Sequence, residues 1–193
     1  MTGKDQTQVA FFPSILASRR RHERVGFALY KEAVAAARSP SFYGDLGVPD
    51  TFDGRFDLVG LHVILLIERL RGAPHPGPDL AQAVFDAMFS DMDVTLREMG
   101  VGDLSVGKKV RAMWEAFHGR AAAYAAPLES GAADALAAAL ARNVWRGADP
   151  PPGAPAALAR VAFAQRADLA RQSLDALSAG TVSFQPPASV LAA

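Results

Sequence analysis

The stretch VGDLSVGKKV, residues 101–110, has the spacing G-x-x-x-x-G-K from Gly102 through Gly107 to Lys108, the core of a phosphate-binding loop. In such a loop backbone N–H groups and the lysine hold phosphates, a following serine or threonine holds magnesium, and a buried strand leads in. Here Lys109 takes the hydroxyl position, Asp103 puts a carboxylate beside the phosphate site, and residues 91–99 read as helix. A turn between two helices explains the stretch better: Gly100 and Gly102 reverse the chain and Ser105 caps the next helix. Asp91 and Asp93 form D-x-D, a pattern that can hold a divalent metal. On a helix, however, they point about 200° apart. Asp93 is instead four residues before Arg97, the spacing of a surface ion pair.

His62 lies among Leu58, Val59, Leu65 and Leu66, which predicts a core histidine donating one hydrogen bond rather than a ligand or base. His22, His75 and His118 show no metal-ligand spacing, and there is no G-x-S-x-G elbow. No catalytic residue, metal or cofactor is predicted. Arg19, Arg20, Arg21 and Arg24 make the one local basic run, following Phe11, Phe12, Ile15 and Leu16. Three readings stay open: an amphipathic helix on anionic lipid, a contact to ribosomal RNA phosphate, or a solvated helical turn. SFYGDLGVPDTFDGRFD, residues 41–57, concentrates aromatic residues and turn dipeptides where a bundle needs only a short loop. It reads equally as a protein-binding site or a packed structural loop.

The elements that position these residues are helical. Alanine and leucine dominate, strict alternation is scarce, and apolar residues recur at helical spacing. Helices are expected over 14–37, 54–71 with Asp53 as cap, 79 to about 99, 105–124, 129–145 and 156–178. Residues 147–155, with four prolines, read as the strongest linker. The expected fold is all-α, a single-domain irregular bundle of about six helices with a long aromatic loop between the first two. A basic amphipathic segment covers 1–28, the helical domain 29–180 and an irregular tail 181–193.

Composition narrows the partners. With 193 residues, twenty Lys plus Arg balance twenty Asp plus Glu and half the chain is hydrophobic. That argues against disorder and against a DNA-binding charge. The absence of cysteine removes disulfides and thiolate chemistry and suits a reducing compartment. No secretory signal is visible, and the longest apolar run, 58–67, falls short of the roughly 20 residues of a membrane span. A cytoplasmic chain is expected.

Three blocks carry a resemblance: ARSPSFYGDLGVPDTFDGRFDLVGLHVILLIERL, AVFDAMFSDMDVTLREMGVGDLSVGKKVRAMWEAFHGRAAAY and ALAAALARNVWRG. In order and spacing they resemble the ubiquinol-cytochrome c chaperone family, over residues 29–147. The first block matches at Tyr43, Gly44, Val48, Pro49, Asp50, Gly54, Arg55 and Phe56; the helix after it matches at His62 and Arg69. The next matches at Asp91, Asp93, Arg97, Glu98, Gly100, Gly102, Asp103, Lys108, Gly119 and Arg120. His118 departs from the family, where a tyrosine is expected.

The resemblance implies an assembly factor rather than an enzyme. It would bind newly made cytochrome b and assist its incorporation into ubiquinol-cytochrome c reductase, associated peripherally with the inner membrane, on the matrix side if mitochondrial. Family members in mitochondria also act at the ribosome and with a small partner protein. Phe42, Tyr43, Val48, Pro49, Asp50, Arg55 and Phe56 are the expected client contacts, because an apolar client needs an apolar acceptor.

Overall fold

The computed structural model describes residues 11–146 and 148–192, with side chains described from residue 17 onward. Phe11, Phe12, Ile15 and Leu16 of the expected amphipathic segment therefore lie outside the described side chains, as does Gly147 of the expected linker. The fold is all-α; the described residues contain no strand.

Helix α1 spans Phe11–Ala37 and stops before Ser39-Pro40, where proline disfavours helix for the residue ahead of it. Pro40 then opens a single turn, α2, Pro40–Tyr43. Helix α3, Phe52–Arg71, starts earlier than its expected Asp53 cap. The Thr51 hydroxyl accepts from Gly54 N–H at 3.1 Å, and Asp53 falls in the first turn, where its charge suits the helix N-terminus. Helix α4, Gly77–Glu98, begins at the proline cluster.

Two further boundaries differ from expectation. Helix α5, Asp103–Ser130, runs through Pro127 and ends only at Gly131, whose φ of 72° is the left-handed cap that glycine adopts readily. Helix α6 is Ala133–Val144. The expected 156–178 helix is two: α7, Ala154–Arg171, and α8, Leu174–Ser178. Gln172 is extended between them, and Ser173 recaps the chain on Ala176 N–H. Arg69 fixes this break by donating to the Leu169 and Gln172 carbonyls, at 3.0 and 2.8 Å. Finally α9, Pro187–Leu191, lies in the expected irregular tail.

Helix α3 is the axis of the bundle. It is apolar around most of its circumference, the pattern of a helix enclosed by others, and α1, α4, α6 and α7 cover it. Helices α1 and α4 approach closely at Gly26, where an added Cβ would stand 2.6 Å from the Ala83 backbone. The tail is part of the core, since Val182 and Pro187 are buried and Phe184 packs against it.

Candidate functional site

The segment from Ser39 to Thr51 is held by its own apolar side chains. Phe42, Leu46, Val48 and Phe56 are buried, and Tyr43 is half-buried with its hydroxyl donating to Ala37 O at 3.1 Å. Burial pushes the Tyr43 phenol up from its ordinary range. Trp145 Nε1 donates to Gly47 O at 3.2 Å, tying the loop to the end of α6. Three expected contact residues, Phe42, Val48 and Phe56, are therefore corrected to core positions. An irregular segment packed on a bundle excludes water only by turning its largest apolar side chains inward. The outer surface is left to Tyr43, Gly44, Pro49, Asp50 and Arg55, with Arg55 paired to Asp50 at 2.6 Å in full exposure. Hydrogen bonding to Arg55 holds the Asp50 carboxyl below its usual value.

Beneath this segment lies a charge cluster that the sequence reading missed. Asp57 is buried on α3; Arg120 of α5 meets it at 2.6 Å and Arg146, just past α6, at 2.7 Å. Arg146 reaches on to Asp53 at 3.1 Å, and Arg120 also lies over the Phe56 ring, 5.6 Å from its centroid. Burial pushes the Asp57 carboxyl up, while the Arg146 and Arg120 guanidiniums pull against that shift. Arg146 adopts φ 45°, an uncommon conformation for a side-chain-bearing residue, held by these ion pairs. One signal was available: Asp57 is the single acid between Phe56 and Ile67, in an otherwise apolar stretch.

The remaining motif positions are mostly structural. His62 is fully buried; its Nδ1–H donates to Leu58 O at 2.7 Å, and burial pushes its pKa down to about 4. Asp91 accepts from the Tyr30 hydroxyl at 2.7 Å, a link between α1 and α4 not foreseen from sequence. Arg97 pairs with Asp93 at 2.6 Å as expected and also with Asp103, so one guanidinium closes the α4–α5 turn. Gly100 takes φ 83° there, Gly102 caps α5, and Glu98, Lys108 and Gly119 are exposed. A helix, not a strand, precedes this turn, as the rejection of a phosphate loop requires. Among the described residues no group of three or more His, Asp or Glu is placed to hold a metal.

Two surfaces offer apolar contact. A groove of about 400 Å³ runs between α3, α4, α5 and α7, with Ile64, Ile67, Phe85, Phe117 and Leu128 in its walls. Arg166 and Glu68, paired at 2.6 Å, stand at its edge with Arg71 and Glu129. His118 extends the aromatic wall: its ring lies 3.9 Å from Trp114 and 5.5 Å from Phe85, and Trp114 is 44% exposed. The second surface is on α1. Arg19, Arg20, Arg21 and Arg24 are exposed, Arg19 pairs with Glu23, and Arg20, Arg24 and a 47%-exposed Phe27 fall at helical spacing on one side. No described helix is long and apolar enough to cross a membrane.

Comparison with known proteins agrees with this architecture. The family described as Ubiquinol-cytochrome C chaperone matches residues 44–184. A solved structure described as the Cbp3 homolog from Brucella abortus superposes with a TM-score of 0.79 at 35% identity, over 92% of this chain and 97% of that one. No curated protein matches. The family match takes in the 44–57 segment, the Asp57 cluster, the α4–α5 turn and the groove, so this chain belongs to the ubiquinol-cytochrome c chaperone family.

Proposed function

We propose that this protein is a non-enzymatic assembly chaperone that binds newly made cytochrome b and assists its incorporation into the ubiquinol-cytochrome c reductase. The observation that carries the reading is the family match across residues 44–184, supported by the likeness to the Brucella abortus structure over nearly the whole of both chains. A membrane subunit not yet joined to its partners exposes apolar helix surface, and shielding it takes a complementary apolar acceptor. The groove between α3, α4, α5 and α7 supplies one, with Phe85, His118 and Ala121 open to contact over a buried floor of Ile64, Ile67 and Phe117. Tyr43, Pro49, Asp50 and Arg55 form a second, polar contact on the outer face of the 39–51 segment. No cofactor takes part.

The exposed arginines of α1 favour work at the inner membrane surface from the cytoplasmic side, or the matrix side in a mitochondrion. Each basic side chain near anionic lipid contributes about 1 kcal/mol. Contacts to a ribosome or a small partner protein would use the same basic face. Deleting the gene and restoring it with Phe85→Asp or Trp114→Asp tests the groove. The wild-type gene should restore assembled reductase and the folded groove variants should not; full restoration by either variant would remove the groove from the mechanism.

A further inference from the structure

Helix α1 turns one long line of side chains to solvent. Ala17, Arg20, Arg24, Phe27, Lys31 and Ala35 follow one another in steps of three or four residues, and every one of them is exposed. From residue 17 to residue 35 the line covers about 27 Å of helix. It holds cations and no acid. The acids of α1, Glu23 and Glu32, stand about 80–100° away round the helix, one on either side. Arg19 turns toward Glu23, its partner at 3.2 Å, and both edge a hollow that Asp79 and Asp86 of α4 also line. Acidic side chains therefore border the cationic line without entering it. At its middle stands the half-exposed Phe27, whose ring lies 6.3 Å from that of Tyr30; the Tyr30 hydroxyl in turn donates to Asp91 of α4.

A phenylalanine ring between cations suits an interface in which the charges meet lipid headgroups and the ring reaches the acyl boundary just beneath them. We propose that α1 lies flat on an anionic bilayer along the whole line from Ala17 to Ala35, with Phe27 inserted between the headgroups and Lys31 as a contact equal to Arg20 and Arg24. The inference rests on the reading of α1 as the membrane contact and adds its orientation. The helix axis runs parallel to the surface, and the headgroups repel Asp79 and Asp86, which sets the roll of the protein about that axis. A strand of RNA would offer phosphates to the same cations. The alanines at both ends of the line favour a planar partner, because they add no bulk that would hold a flat surface away from Phe27.

The chain has no cysteine, so single cysteines introduced into the whole protein carry a nitroxide label at chosen places. Ala17→Cys, Phe27→Cys and Ala35→Cys report the line; Glu32→Cys and Gln82→Cys report the flank of α1 and the exposed side of α4. With vesicles of phosphatidylcholine and phosphatidylglycerol, the first three labels should become inaccessible to a water-soluble relaxation agent, and the label at 27 should meet dissolved oxygen most. The other two should stay in water, and high salt or pure phosphatidylcholine should abolish the protection. In the unlabelled chain, Phe27→Ala and Lys31→Ala should each weaken vesicle binding by about fivefold or more. A label at 35 that stays in water while 17 is covered would overturn the flat orientation, and so would failure to bind vesicles. Unchanged binding by Phe27→Ala would overturn the insertion. Protection of the same labels by single-stranded RNA but not by vesicles would overturn the proposal in favour of a nucleic-acid contact. No client is present in these measurements, so a negative result leaves capture of cytochrome b standing, and a failure of capture leaves the membrane result standing.

Discussion

Removing the Asp57 carboxylate should be among the most damaging single changes in this protein. Asp57→Ala leaves Arg120 with its side chain 9% exposed and without its counter-charge, while its Nε already has no hydrogen-bond partner among the described residues. Breaking a buried pair from one side typically costs about 3–5 kcal/mol, because the surviving charge stays desolvated and uncompensated. In a chain of this size each kcal/mol shifts Tm by about 2–4 °C, so a fall of about 6–20 °C is expected. Arg146→Ala is the internal comparison. Its side chain is 36% exposed, and Arg120 still neutralises Asp57, so the loss should be about 1–2 kcal/mol. Urea unfolding followed by circular dichroism at fixed pH reads both. The double replacement Asp57→Leu with Arg120→Met should recover most of the lost stability, since an apolar pair needs no desolvation. A loss under about 1 kcal/mol for Asp57→Ala, or parity with Arg146→Ala, would refute the view that this cluster locks α3, α5 and the end of α6 together.

The other predictions concern pH, packing and the basic face. His62 is neutral in the fold with a pKa near 4, against about 6.5 when unfolded, so acid favours the unfolded chain. Stability is fully present above pH 6.5 and falls by on the order of 3 kcal/mol as pH drops to 4. Unfolding curves should show a steeper acid loss in the wild type than in His62→Gln; superimposable pH profiles would contradict this. Gly26→Val pushes α1 off the Ala83 backbone and should cost about 1–3 kcal/mol by thermal melt. Gly119→Ala, with no atom within 4 Å of its added Cβ, should stabilise α5 by about 0.5–1 kcal/mol; similar effects from the two changes would contradict the close-approach reading. Arg20→Glu with Arg24→Glu should abolish co-sedimentation with anionic vesicles, and the wild type should release in high salt. Binding that survives either change would remove α1 from the membrane contact.

Local signals in the sequence were legible and long-range ones were not. Apolar periodicity and proline placement located α1, α3 and α4 to within a few residues, and the i,i+4 spacing of Asp93 and Arg97 foretold their pairing. Helix α5 runs past its expected end at 124 because a helix packed against its neighbours can carry the one missing N–H of Pro127, and the break at Gln172 escaped notice because Arg69, about a hundred residues earlier, makes it. The 41–57 segment was identified as unusual, yet its composition could not tell inward from outward aromatic side chains. That choice is made by the tertiary neighbours of Phe42 and Phe56. Asp57 pairs with Arg120 and Arg146 across 63 and 89 positions, and no local pattern connects them.

Cytochrome b capture is the most direct test of the central claim. A tagged chain would be recovered from membranes solubilised during active synthesis and probed for cytochrome b, with the Trp114→Asp variant in parallel. The account predicts that cytochrome b co-purifies with the wild-type chain, before the other reductase subunits appear, and is lost from the folded variant. Recovery of the chain without cytochrome b, under conditions where the reductase is being made, would contradict it.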